Sequence, residues 1–99
     1  MQECLVRLLR EYEELENILL TKNRAVYPRV NMLFERLVDC FYNLGSDKLL
    51  FPNEFQRDVA LYKGGNSSVI RKFRDVEIRY MFIADLYDYC RLKKIIIKE

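Results

Sequence analysis

An apolar repeat with spacings of four and three runs through the last third of the chain. This spacing keeps one apolar stripe on one side of a helix, so the sequence predicts one long helix over residues 67–93. A second apolar set lies on another side of the same segment, which predicts that the helix is largely buried. The first set is Val69, Phe73, Val76, Tyr80, Ile83, Tyr87 and Cys90, and the second is Ile78, Phe82, Leu86 and Tyr89.

Two amphipathic helices are predicted before it, over residues 3–22 and 28–44. Pro28 suits the first position of a helix, and Gly45 suits the left-handed position that follows one. The short link between the two helices predicts an antiparallel helical hairpin. Their apolar seams are Leu5, Leu8, Tyr12, Leu15 and Leu19 in the first helix, and Val30, Phe34, Leu37, Phe41 and Leu44 in the second.

The segment between the hairpin and the long helix is less regular. Residues 49–51 form an apolar run that ends at Pro52, which is typical of a brief edge strand or of a buried loop anchor. Asn53 is predicted to be the N-cap of a short helix over residues 53–62. The β-branched residues 95–97 suit a short strand, paired with residues 49–51 or added to a partner, and with the basic residues around them they suit an anionic surface. The simpler interpretation is that they cover part of the core or of a dimer seam.

These patterns predict a single all-α domain over residues 1–99, with three to four helices. Its long, largely buried C-terminal helix packs on the N-terminal helical hairpin. With 51% apolar residues, a chain of 99 residues has material for one modest core. The formal net charge of +2 gives no overall field that favours nucleic acid or membrane.

No apolar stretch in the sequence is long enough to span a membrane, and Glu3, Arg7 and Arg10 leave no room for a signal peptide. The expected location is therefore the cytoplasm. Each of the three cysteines, Cys4, Cys40 and Cys90, lies among apolar residues and is interpreted as a buried free thiol. A Cys40–Cys90 disulfide is the alternative, if the second and the last helices pack together.

The chain has no histidine, which removes the usual zinc ligand sets and the most common general base. The sequence therefore predicts no catalytic residue, no metal, no cofactor and no small-molecule substrate. Glu77, Asp85 and Asp88 form a polar line that suits either paired acid–base groups or, more simply, a solvated helix face. The aromatic residues of the long helix suit either a stacking platform for bases or a core. They are Tyr80, Tyr87 and Tyr89, with Phe82.

A Gly-Gly-Asn-Ser-Ser segment precedes the long helix and is followed by basic residues. Glycines and free N–H groups at a helix N-terminus attract anions, whereas basic residues in a first turn oppose the helix dipole. A bound phosphate resolves that conflict, so nucleic-acid backbone binding is one hypothesis. The simpler interpretation is a helix C-cap followed by an N-cap. The candidate anion-binding residues are Gly64, Gly65, Ser67, Ser68, Arg71, Lys72 and Arg74.

The chain is small, rich in Leu, Ile, Tyr, Lys, Arg and Glu, and lacks Trp and His. In this composition it resembles the orphan proteins of filamentous viruses that infect thermoacidophilic archaea. The resemblance implies a small, helical, thermostable viral protein in the host-cell cytoplasm that acts by binding, and it carries no functional residues over to this chain.

The apolar pattern itself predicts a non-enzymatic protein-interaction module that forms a homodimer. The reason is that two amphipathic helices and one short helix are too few to cover both apolar sides of the long helix. Binding to a nucleic-acid backbone through the Gly-Gly-Asn-Ser-Ser segment is the alternative function.

Overall fold

The computed structural model describes residues 2–19 and 26–93, and no strand is present in these two ranges. The predicted all-α class is therefore confirmed for the described part of the chain. That part contains more helices than the three or four predicted. They are α1 (Gln2–Leu19), α2 (Tyr27–Tyr42), a 3-10 helix (Gly45–Leu50), α3 (Asn53–Lys63), α4 (Ser67–Lys72) and α5 (Val76–Lys93).

The helices α1 and α2 form an antiparallel hairpin, as predicted. Cys4 and Cys40 line one groove at one end of the pair, and further along Arg36 forms an ion pair with Glu11 at 3.2 Å. The apolar seams face inward from Leu5 to Leu15 in α1 and from Val30 to Phe41 in α2, because a stripe with this spacing stays on one side of a helix. Their buried residues include Leu5, Leu8, Leu9, Tyr12 and Leu15 in α1, and Val30, Leu33, Phe34, Leu37, Val38 and Phe41 in α2.

The prediction of one long helix over residues 67–93 is wrong in one respect. The structure has two helices there, α4 and α5, with a break between them. Asp75 acts as a new N-cap: its side chain accepts a hydrogen bond from the backbone N–H of Glu77 at 2.8 Å. On the other side of the break, the Arg79 guanidinium donates to the carbonyl oxygen of Phe73, just after the end of α4. Both helix ends therefore have hydrogen-bond partners, which stabilises the break.

Residues 49–51 form neither a strand nor one continuous anchor. Leu49 and Leu50 end the 3-10 helix and are exposed, whereas Phe51 is buried and its ring lies 4.9 Å from that of Phe41. The prediction of a buried anchor is thus confirmed for Phe51 alone. Residues 95–97, the predicted pairing partner, lie outside the described residues.

Two capping predictions have different outcomes. Gly45 has a φ of +66°, so the predicted left-handed conformation is confirmed. Asn53 is not the N-cap of α3, because Pro52 holds that position and Asn53 is the first helical residue. The carbonyl of Pro52 accepts hydrogen bonds from the backbone N–H groups of Phe55 and Gln56. Pro52 suits this position because its extended backbone leads directly into the helix.

The interior of α5 is covered by α1, α2 and α3. Phe73, Ile83, Leu86 and Tyr87 are buried as predicted, whereas Val76 and Tyr80 are only half-buried. An aromatic cluster joins the helices, with ring centroids 5.1 Å apart for Phe34 and Phe73 and 5.4 Å apart for Phe73 and Phe82. The buried side of α5 therefore needs no second chain to cover it.

The cysteine predictions are only partly correct. Cys40 and Cys90 are buried free thiols as expected, but Cys4 is exposed. The cysteine beside Cys40 is Cys4 of the hairpin, and not Cys90 as in the alternative disulfide. Packing of α2 against α5 is present, yet it leaves Cys40 and Cys90 unpaired.

Candidate functional site

The Gly-Gly-Asn-Ser-Ser segment is a connection between two helices. Gly65 has a φ of +83°, and its N–H donates to the carbonyl of Tyr62, while the N–H of Asn66 donates to the carbonyl of Leu61. These two bonds form the Schellman motif that ends α3. The side chain of Asn66 then caps α4 by accepting from the N–H of Val69 at 3.1 Å. The simpler interpretation, a C-cap followed by an N-cap, is confirmed.

The premise of the anion hypothesis is wrong. Because α4 ends at Lys72, Arg71 and Lys72 lie in its last turn, where the helix dipole favours cations. Lys72 also forms an ion pair with Asp58 at 3.5 Å. The structure brings the predicted residues together around one turn. The exposed residues there include Ser67, Ser68, Arg71 and Arg74. Phosphate binding by these residues stays a prediction, but basic residues in a first turn no longer support it.

The polar line of α5 is exposed to solvent. Glu77, Asp85 and Asp88 are all exposed, which agrees with a solvated helix face. Within residues 2–19 and 26–93, no group of acidic or cysteine side chains is placed to hold a metal ion.

The tyrosines of α5 belong mainly to the core. Tyr87 is buried, and its ring lies 5.0 Å from that of Tyr12; Tyr80 and Tyr89 are half-buried. The hydroxyl of Tyr12 donates to Glu16 at 3.1 Å and lies 3.3 Å from the hydroxyl of Tyr80. Burial is the main cause that raises the pKa of Tyr12, followed by the hydrogen bond with Tyr80. Tyr12 therefore keeps its proton at neutral pH and cannot serve as a base.

A polar network around Arg79 joins α2, α3 and α5. Its guanidinium lies 4.6 Å from the centroid of the Phe34 ring, and it donates to the Tyr62 hydroxyl at 3.3 Å and to Asn31 at 3.4 Å. The Tyr62 hydroxyl bonds in turn to the Glu35 carboxylate at 2.9 Å. Burial, followed by this bond, raises the pKa of Tyr62. An arginine keeps its charge at all relevant pH values, so the network positions helices and does not transfer protons.

Three leucines near the ends of α5 and of the 3-10 helix are exposed to solvent. Leu49, Leu50 and Leu92 are 72%, 50% and 81% exposed, and together we call them the leucine surface. Tyr89 ties the two elements together, because its hydroxyl donates to the carbonyl of Leu50 at 2.9 Å. Leu92 lies three residues beyond Tyr89, which places it on the same side of α5.

The local fold explains why these leucines face solvent. The Phe51 ring fills the core next to Phe41, and a half-buried Tyr89 ring lies 5.8 Å from it on the other side. The 3-10 helix immediately before Phe51 has no buried residue, and Leu49 and Leu50 are not among the side chains that pack against the core. The sequence did not predict this surface, because residues 49–51 form one uninterrupted apolar run. A signal was present for Leu92, which continues the spacing of the second apolar set beyond Tyr89.

Comparison of the chain with protein-family models, with curated proteins and with solved structures gives no match. The viral resemblance therefore stays a prediction. In the ranges that the structure describes, no helix combines the length and apolarity needed to cross a membrane. Among the described residues, the leucine surface and the Arg79 network are two features from which a role can be argued, and the leucine surface is open to a partner.

Proposed function

We propose that this protein is a non-enzymatic helical interaction module that self-associates through the leucine surface. The observation that carries the proposal is the exposure of Leu49, Leu50 and Leu92, at 72%, 50% and 81%, beside a core in which α5 is otherwise well covered. Clustered exposed apolar side chains, unlike single ones, are typical of protein interaction sites.

A second copy of the chain suits this surface because its centre is apolar and carries no charge. In a two-fold arrangement the same patch meets itself, so the leucines of the 3-10 helix in one copy pack against Leu92 of the other. Exposed charges such as Asp88 and Arg91 then lie at the rim, where polar residues are usual.

The size of the surface predicts weak association. Each apolar Å² removed from water contributes about 25 cal/mol, whereas a stable interface buries roughly 1,200 to 2,000 Å² in total. Three leucines form the centre of such an interface and not the whole of it. We therefore expect a dissociation constant in the micromolar range, on the order of 10 to 100 µM.

Light scattering over a range of protein concentrations tests the proposal. The average mass should rise with concentration toward that of a dimer for the wild type, and a Leu49→Ser, Leu92→Ser double variant should stay monomeric. Met32→Ser is the matched control, because Met32 is a comparably exposed apolar side chain on α2. A wild type that stays monomeric at several hundred micromolar, well above the expected constant, contradicts the proposal.

Salt separates this function from nucleic-acid binding. Association through apolar side chains should be unchanged or stronger at higher salt, whereas binding to a phosphate backbone weakens steeply. A titration of the protein with duplex and single-stranded DNA at low and moderate salt, alongside the light scattering, distinguishes the two.

A further inference from the structure

Two cysteines far apart in sequence lie together at one end of the hairpin. Cys4 lies near the start of α1 and Cys40 near the end of α2, and the antiparallel arrangement brings these positions to the same level. Both residues line one groove of about 610 Å³, together with Leu8 and Asn43. The two cysteines therefore lie on facing helices and share one groove.

The two thiols differ in their surroundings. Cys4 is exposed, which leaves its sulfur open to reagents in solution, whereas Cys40 is only 8% exposed. Burial is the main cause that raises the pKa of Cys40 to about 12, so this thiol does not react first. Cys4 is therefore the sulfur that meets an oxidant first. Cys40, unlike the buried Cys90, lies in the same groove as Cys4 and can react with the oxidised sulfur.

We propose that Cys4 and Cys40 are a redox modification site, in which a peroxide-class oxidant converts the two thiols into a disulfide that links α1 to α2. In the first step the sulfur of Cys4 attacks one peroxide oxygen. The O–O bond breaks, an S–O bond forms, and one water leaves with the thiol proton. Cys4 is then a sulfenic acid.

In the second step the sulfur of Cys40 attacks the sulfur of this sulfenic acid. An S–S bond forms, the S–O bond breaks, and a second water leaves with the proton of Cys40. Together the two thiols lose two electrons and two protons, and one peroxide is reduced to two waters. The shared groove favours this step because it holds the two cysteines on neighbouring helices.

The third cysteine provides an internal control. Cys90 is completely buried in α5, and burial raises its pKa to about 12. It does not line the groove that Cys4 and Cys40 share. Cys90 should therefore stay a free thiol under conditions that oxidise the pair.

The disulfide should stabilise the fold. It joins residues 4 and 40 and so restricts a long loop in the unfolded chain, which raises the free energy of that state. From the loop length and the typical entropy of unfolding, we expect the melting temperature to rise by roughly 10 to 20 °C.

The experiment treats the full chain at low concentration with hydrogen peroxide, blocks remaining thiols and maps the peptides by mass spectrometry. We expect a linked Cys4–Cys40 peptide, a free Cys90 that is blocked only after denaturation, and a raised melting temperature that reductant reverses. Cys4→Ser is the matched variant, since its side chain is exposed and its loss should leave the fold intact. That variant should give neither the linked peptide nor the stabilisation.

Three results overturn the proposal. They are a link that includes Cys90, a Cys4–Cys4 link between two chains as the main product, or oxidation of Cys4 to sulfinic acid with Cys40 still a free thiol.

Discussion

Replacing Arg79 tests the break between α4 and α5, because this side chain bonds to the carbonyl of Phe73 where α4 ends. Arg79→Met keeps most of the length and apolar stem of the side chain and removes the charge and the donors. This single change leaves the end of α4 without its hydrogen-bond partner and removes the bonds of Arg79 to Tyr62 and Asn31.

The size of the effect follows from the contacts. A part-buried carbonyl that loses its partner costs about 1 to 3 kcal/mol. The guanidinium at 4.6 Å from the Phe34 ring adds about 0.5 to 1 kcal/mol. The bonds to Tyr62 and Asn31, at 3.3 and 3.4 Å, are long and contribute little. We expect the free energy of unfolding to fall by about 2 to 4 kcal/mol.

Urea unfolding followed by circular dichroism measures this change. Arg71→Met is the matched control, because Arg71 is an exposed arginine of α4, and its loss should change the stability by less than about 0.5 kcal/mol. Combining Arg79→Met with Tyr62→Phe in a double-mutant cycle then isolates the contact between the two side chains. An Arg79→Met protein as stable as the Arg71→Met control refutes the proposed role of Arg79 at the break.

Three further predictions concern the core, the capped loop and pH. Ile83→Ala should lower the free energy of unfolding by about 2 to 5 kcal/mol in urea, because Ile83 is 1% exposed; a change below about 0.5 kcal/mol would place it at the surface. Asn66→Ala should cost about 1 kcal/mol through loss of the α4 cap. Because Asn66 occupies that helix end, replacing chloride by phosphate at constant ionic strength should leave the melting temperature unchanged; an increase that depends on Arg71 contradicts this. Finally, burial raises the pKa of Cys90 from 9.0 to about 12. Between these two values only the unfolded chain loses the proton, so the free energy of unfolding should fall from pH 9 to 12 and be independent of this thiol below pH 9. Cys90→Val should reduce that fall in urea titrations at stepped pH, and an unchanged slope counts against the burial of the thiol.

The sequence predicted the helices well because apolar spacing reports directly which side of a helix is buried. The same signal could not detect the break before α5. Phe73 and Val76 are three residues apart, as in a continuous helix, so the apolar repeat passes through the break unchanged. The residues that stabilise the break are polar, and one of them is several residues away. Asp75 caps α5, and the Arg79 side chain donates to the carbonyl of Phe73.

The candidate site was harder to predict because it depends on which apolar residues remain uncovered. Leu49, Leu50 and Phe51 are adjacent and equally apolar, yet Phe51 is buried and the leucines are exposed. The 3-10 helix and the contact of Phe51 with Phe41 distinguish them. Neither feature produces a periodic pattern in the sequence. Cys4 shows the same limit. It precedes the buried Leu5 in the sequence, but its neighbour Cys40 is set by the packing of the hairpin.

The proposed self-association therefore has a different physical basis from the one that the apolar pattern indicated. That pattern predicts a second chain that covers a helix which one chain cannot bury, and such a dimer unfolds when it dissociates. The structure buries the apolar core within one chain and leaves the leucine surface exposed, so monomers should be folded. Because a folded dimer is stabilised by mass action, the melting temperature of the wild type should rise with protein concentration. The Leu49→Ser, Leu92→Ser variant should keep a concentration-independent melting temperature close to that of the dilute wild type. A variant that unfolds at all concentrations would instead show that these leucines are part of the core.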